Sequence, residues 1–195
     1  MKLKNKKVGI AITGSHCTLH TAIKEIENLI REGAEVFPIL SPSVSQSDTK
    51  FGSAQEWMEK LEVVTGHKPI TTIVEAEPIG PKKIIDVLVI APCTGNTMAK
   101  LANGITDTPV LMAAKAHLRN QKPVVIGIAT NDGLGANARN LGIILNMKNV
   151  YLIPFGQDNP VEKKNSLIAN WDLLLETTTL ALKGKQIQPL LIGAN

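Results

Sequence analysis

The sequence predicts a three-layer α/β/α fold, a parallel sheet with helices on both of its faces. Short unbroken apolar runs at residues 8–13, 36–40, 87–91 and 123–129 alternate with segments of helical periodicity, the pattern of successive βαβ units. The runs are apolar at nearly every position rather than at every second one, as in strands buried on both faces. Aromatic residues make up 3% of the chain and hydrophobic residues 44%. The core therefore rests on Ile, Leu, Val and Ala, which suits helices packed on a parallel sheet better than a β-sandwich.

The elements follow in order. Residues 8–13 form the first strand, closed by Gly14 and Ser15. Leu19, Ala22, Ile23, Ile26, Leu29 and Ile30 then recur at helical spacing, and Gly33 supplies a left-handed stop. The strand at 36–40 runs into Ser41, Pro42 and Ser43; strand, helix and strand this close together imply a right-handed crossover. Residues 44–52 read as a polar loop and 53–64 as a helix. The stretch 65–81 holds three prolines and reads as irregular, with a short strand at 72–74. The run at 87–91 halts at Pro92 and delivers Thr94, Asn96 and Thr97 to the start of a helix that carries Met98, Leu101 and Ala102 on one side. Residues 108–119 read as a helix with Val110, Leu111 and Ala114 inward, and 123–129 as a strand ending in Thr130, Asn131, Asp132 and Gly133. A helix at 136–145 and a last strand at 150–154 follow. Leu167, Trp171, Leu174, Thr178 and Leu182 describe a long closing helix. No repeat or linker divides the chain, so residues 1–195 read as one α/β domain.

Composition narrows the function. The formal charge is +4, without a dense basic block beyond residues 2–7, which read as a solvated terminus. The scarcity of aromatic platforms argues against base stacking on nucleic acid. No apolar run has the length of a membrane span or a signal peptide. Cys17 and Cys93 are the only cysteines; they lie outside any metal-ligand spacing, and a reducing cytoplasm is expected. The first turn lacks G-x-G-x-x-G, and G-x-x-x-x-G-K-[ST] is absent, which lowers the weight of a dinucleotide enzyme and of a nucleoside triphosphatase. A mononucleotide such as FMN, with one phosphate and one flat ring, still fits.

Ligands of open α/β sheets bind at the carboxyl ends of the strands, and the small polar loops of this chain fall there. They are Gly14 and Ser15; Ser41 and Ser43; Pro92, Cys93, Thr94, Asn96 and Thr97; and Thr130, Asn131 and Asp132. Gly14 lets a phosphate approach the backbone, Ser15 is a donor or a helix cap, and a helix start after Thr94 favours anions. His16 and Cys17 stand at a helix start, where Cys17 reads as packed. Cys93 is either an inert small hydrophobe or a reactive thiol. His67 reads either as a proton-transfer group or as a surface residue, and His20 and His117 as helix-face residues without a role.

The segment Pro92-Cys-Thr-Gly-Asn96-Thr97, followed by Lys100-Leu-Ala-Asn-Gly104-Ile-Thr-Asp107, resembles the flavoprotein family of homo-oligomeric flavin-containing cysteine decarboxylases and flavin prenyltransferases. That family carries Pro-Ala-Ser-Ala-Asn-Thr and then Lys-Ile-Ala-x-Gly-Ile-x-Asp. A closer resemblance, to the dipicolinate synthase B subunits of spore-forming bacteria, runs along nearly the whole chain. It rests on Thr13-Gly-Ser-His-Cys17, Lys50-Phe51-Gly52 with Glu56-Trp57, residues 76–81, residues 107–115, Ala129-Thr-Asn-Asp-Gly-Leu-Gly135 and Ile153-Pro-Phe-Gly-Gln-Asp158. The resemblance implies a Rossmann-like flavoprotein fold, trimers or dodecamers, and FMN held by Gly14, Ser15, Ser41, Ser43, the loop from Pro92 to Thr97, and Thr130. It implies oxidation of a dihydro- or hydroxytetrahydrodipicolinate to dipicolinic acid in the mother cell of a sporulating bacterium. An A subunit is the implied partner and carrier of NADP. Asn96 and His67 are the expected catalytic residues, with Asn131, Asp132 and Lys115 at the substrate; Lys100, Lys115 and Arg119 are either partners for the substrate's carboxylates or, the favoured reading, exposed basic residues on helix faces. Where the cysteine decarboxylases have a Pro-x-Met-Asn-x-x-Met-Trp clamp, this chain has Ala129-Thr-Asn-Asp-Gly-Leu, which disfavours cysteine decarboxylation. A stand-alone flavin decarboxylase or prenyltransferase and a non-catalytic partner subunit are the alternatives.

Overall fold

Seven strands form one sheet in the computed structural model, which describes residues 1–193. The chain runs β1 (Lys7–Ile12), α1 (Leu19–Arg31), β2 (Glu35–Leu40), α2 (Pro42–Ser45), α3 (Ala54–Thr65), α4 (Ile73–Ala76) and β3 (Val87–Cys93). It continues through α5 (Gly95–Ala102), α6 (Pro109–Arg119), β4 (Val124–Thr130), α7 (Ala138–Leu145), β5 (Val150–Leu152), β6 (Phe155–Asn159), β7 (Lys163–Ala169) and α8 (Leu174–Ala181). The strand order is β2-β1-β3-β4-β7-β6, with β5 also on β4. Strands β1 to β5 pair in parallel, whereas β7 is antiparallel to both β4 and β6.

The period-2 geometry of a strand explains why the apolar runs are continuous. Leu88 and Ile90 on β3, with Ile126 and Ile128 on β4, face a core shared with Val110, Leu111 and Ile144 of α6 and α7. Val87, Val89 and Ala91 face the opposite core, with Leu19, Ile23 and Ile26 of α1, Trp57 and Leu61 of α3 and Leu174 of α8. Each such Val, Leu or Ile side chain contributes about 1.5–3 kcal/mol on burial, so both faces of the sheet must be covered.

Local chemistry sets the helix ends. Ser53 caps α3 through a reciprocal box with Glu56, and Gly66 closes it at φ 70. Thr72 and Glu75 make the same box at α4. The strand expected at 72–74 is therefore a helical turn, and the open edge of β2 is met instead by Ile70, which receives Leu40 N–H and donates to the Pro38 carbonyl. The loop expected at 44–52 begins inside α2.

The largest departure lies at the carboxyl end. The expected closing helix breaks into β7, a 3-10 turn (Trp171–Leu173) and α8. The pairing partner of β7 explains it. Strand β5 covers β4 only along Val124, Val125 and Ile126, and the β4 edge beyond it, at Ala129 and Thr130, pairs with Ile168 and Leu167. Unpaired backbone groups there are costly, and satisfying them outweighs the helical spacing of Leu167 and Trp171. This pairing brings the β6–β7 hairpin to the carboxyl end of the parallel strands.

Candidate functional site

A cleft of ≈ 500 Å³ opens at that edge, within the size range of small-molecule sites. One wall comes from Gly14, Ser15, His16 and Cys17 after β1, another from Thr94 and Gly95 after β3, and a third from Ala129, Thr130 and Asn131 at the end of β4. The hairpin adds Asp158, Lys163, Ser166, Leu167 and Ile168, and the turn before α3 adds Lys50 and Phe51.

Short hydrogen bonds fix the floor. Thr13 Oγ1 donates to the Pro92 carbonyl at 2.8 Å and accepts from Thr94 N–H at 3.0 Å, tying the ends of β1 and β3 together. Thr94 then caps α5, its Oγ1 accepting from Thr97 N–H. The remaining first-turn N–H groups of α5 point the positive end of the helix to the cleft edge.

Two glycines are required by close approach. A Cβ on Gly14 would lie 2.6 Å from Ser43 Oγ, which is itself hydrogen-bonded to Ser41 Oγ at 2.8 Å. A Cβ on Gly95 would lie 2.5 Å from Thr130 Oγ1, 2.7 Å from Asn137 Nδ2 and 2.8 Å from Asp132 Oδ1. Those three groups belong to one ladder. Thr130 Oγ1 donates to Asp132, Asn137 Nδ2 donates to both Asp132 oxygens, Asn140 donates to Asn137 and Asn103 donates to Asn140.

The expected site residues divide accordingly. Gly14, Ser15, Thr94, Thr130 and Asn131 line the cleft. Ser41 and Ser43 stand beside Gly14, outside the wall. Pro92 and Cys93 are buried in β3, and burial pushes the Cys93 thiol up to about 12, so Cys93 is the inert hydrophobe. Thr97 is buried beneath the cap, and Asn96 is exposed on the first turn of α5 rather than in the wall. Asp132 turns to the amide ladder instead of the cleft. Lys115 is exposed on α6, and Lys100 is engaged by Asp107. The structure does not bring His67 to the cleft of its own chain. Its Nε2 lies 3.2 Å from Glu35 at the amino end of β2, and its ring stacks on Phe37 at 4.2 Å.

Cys17, expected to be packed, is exposed and lines the cleft. His16 lines it too, and its buried Nδ1 has no hydrogen-bond partner. The hairpin residues were missed altogether, although Asn159-Pro160 between two short runs is a turn signal. Asn159 Oδ1 accepts from Val161 and Glu162 N–H, folding the chain back. Across the hairpin Lys163 Nζ meets Asp158 Oδ2 at 2.8 Å, and the Asp158 carboxylate holds the lysine above its ordinary pKa.

Residues 1–178 match the family model described as Flavoprotein. The B subunit of dipicolinate synthase from Bacillus subtilis (strain 168) is 52% identical over 190 residues, which is 97% of this chain and 95% of the relative. The crystal structure of the corresponding B subunit from Bacillus halodurans C superposes with a TM-score of 0.92 at 50% identity, covering 100% of both chains. The FMN-dependent cysteine decarboxylase SpaF shares the fold, with a TM-score of 0.65 at 20% identity over 93% of this chain and 99% of its own. Among the described residues no helix is long and apolar enough to cross a membrane, and no cluster of His, Cys, Asp and Glu could hold a metal ion.

Proposed function

Because the chain belongs to the flavoprotein family, and within it to the dipicolinate synthase B subunits, we propose that its strand-end cleft binds FMN and takes part in oxidising a dihydro- or hydroxytetrahydrodipicolinate to dipicolinic acid. The naming of the relatives as B subunits implies an A subunit, where a nicotinamide cofactor is expected. The chain is expected to assemble as a homo-oligomer in the cytoplasm of a sporulating mother cell.

The observation that carries this reading is the convergence of three strand-end loops on one cleft. The residues present fit the cofactor. Gly14 and Ser15, backed by Ser43, offer a bare backbone and hydroxyl donors suited to a phosphate. Ala129, Leu167 and Ile168 offer apolar surface to a flat ring, and Thr94, Thr130 and Asn131 offer polar edges to orient it. The positive end of α5 favours a group that gains electron density. A flavin in this position supplies a two-electron acceptor.

The chain's own residues would do the rest. The Thr13 bridge keeps the two phosphate-side loops in register, so the cleft is preorganised before ligand arrives. The hairpin excludes water from one side through Leu167 and Ile168. His16, the histidine in the cleft wall, would accept the proton released when the ring becomes aromatic. Anaerobic mixing of the FMN-loaded chain and the A subunit with the dihydro substrate tests the reading. Bleaching of the 450-nm region (about one flavin per dipicolinate formed) supports it, and product formed at full rate without FMN overturns it.

A further inference from the structure

Lys100, Lys115 and Arg119 are the sequence's candidates for the substrate's carboxylate partners, and none of them lines the cleft. The cationic side chains that do are Lys50 and Lys163, carried by different parts of the chain. Lys50 comes from the turn before α3, its Nζ 5.2 Å above the Phe51 ring. Lys163 comes from the first residue of β7, held from across the hairpin by Asp158, whose Oδ2 also lies 3.5 Å from Ser166 Oγ. Asp158 is the only carboxylate in the wall among the described residues. Two lysines against one carboxylate leave the mouth with a formal surplus of positive charge.

We infer that Lys50 and Lys163 form a two-point anchor for a planar dicarboxylate, with Asp158 positioning Lys163, and that this pair sets specificity for dicarboxylates over monocarboxylates. The inference rests on the cleft being the substrate site of the proposed reaction. An ammonium is a point donor that follows a carboxylate through small changes of pose, which suits a ring that flattens on oxidation. Asp158 restrains one of the two long side chains, so less freedom is lost when the anion arrives. A pyridine with carboxylates on both sides of its nitrogen can meet both lysines. The same ring with one carboxylate can meet only one.

Dipicolinate and picolinate serve as the probes, titrated into the full-length chain in metal-depleted buffer. Each is followed for the parent, Lys50→Gln, Lys163→Gln and the control Lys164→Gln, whose side chain is exposed and does not line this cleft. Affinity for dipicolinate falls roughly tenfold in each of the first two variants, affinity for picolinate falls less, and the control is unchanged. Thermal midpoints and FMN affinity, measured on the same samples, stay at parental values. A parent that does not prefer dipicolinate over picolinate overturns the inference, as does a preference that survives both substitutions or falls equally in Lys164→Gln. Lysine-dependent dipicolinate binding without any FMN binding leaves the anchor standing and removes the flavin reading. FMN binding with lysine-independent dipicolinate affinity does the reverse.

Discussion

Gly95→Ala is the perturbation whose cost the structure sets most narrowly. Related flavoproteins carry Ala at this place in Pro-Ala-Ser-Ala-Asn-Thr, so the substitution is conservative by family pattern. In this chain the new methyl would meet Thr130 Oγ1 at 2.5 Å, Asn137 Nδ2 at 2.7 Å and Asp132 Oδ1 at 2.8 Å. None of the three can swing away freely. Thr130 and Asn137 both donate to Asp132, and Asn137 is held in turn by Asn140 at 2.9 Å. Relief requires breaking part of the buried ladder or lifting the first turn of α5. Overpacking of this kind costs about 2–3 kcal/mol, which for a domain of this length lowers the melting midpoint by roughly 5–10 °C. Urea unfolding followed by circular dichroism gives the free energy, and FMN titration of the same sample reports whether the Thr94 loop has moved. Adding Thr130→Ala removes the nearest contact, so the double variant should recover about 1 kcal/mol relative to the sum of the singles. A single variant within about 0.5 kcal/mol of the parent, or strict additivity in the double, refutes the claim that the ladder dictates glycine at 95.

Gly14→Ala puts a methyl 2.6 Å from Ser43 Oγ, an exposed side chain able to rotate away, so stability should change little while the displaced Ser41–Ser43 pair no longer backs the phosphate cradle and FMN affinity, read by quenching of flavin fluorescence, falls roughly tenfold (~1.4 kcal/mol). A thiol reagent should modify one cysteine per folded chain, Cys17, since Cys93 is 1% exposed with its thiol pushed up to about 12; saturating FMN should slow that reaction. His117 is 2% exposed and burial pulls its pKa from 6.5 down to about 4, so the unfolded chain binds its proton first as the pH falls. Its contribution to stability is complete above pH 6.5 and drains away toward pH 4, by roughly 3 kcal/mol at about 1.4 kcal/mol per pH unit. Urea midpoints should drop across that window, and His117→Gln should flatten the drop.

The parallel strands were legible because each is apolar on two faces and ends in a small polar loop. Thr94 and Thr130 were legible for the same reason, since strand direction alone sends those loops to one edge. The hairpin was not. Phe155-Gly-Gln-Asp-Asn carries no alternation, and its only local signal is the turn at Asn159-Pro160. Strand β7 exists because β5 is too short to cover the edge of β4, a tertiary fact invisible in residues 163–169. That omission hid Lys163 and Asp158 as residues of the cleft wall. His67 reads from sequence either as a proton-transfer group or as a surface residue, and its place follows from a contact the sequence does not show: Ile70 pairs with β2 and draws the preceding residues to the amino end of that strand, beside Glu35. Asp132 was legible as a residue near the site but not as the acceptor of a side-chain ladder, because its partner Asn137, held by Asn140, comes from the start of the next helix.

The central claim is that the cleft between Gly14, Thr94 and Thr130 is a flavin site. Titrating FMN into the purified full-length chain, with flavin absorbance and fluorescence followed to saturation, tests it most directly. The account predicts a shifted flavin spectrum saturating at one FMN per chain and weakened by Gly14→Ala. An unperturbed spectrum throughout the titration, or binding indifferent to that substitution, would contradict it.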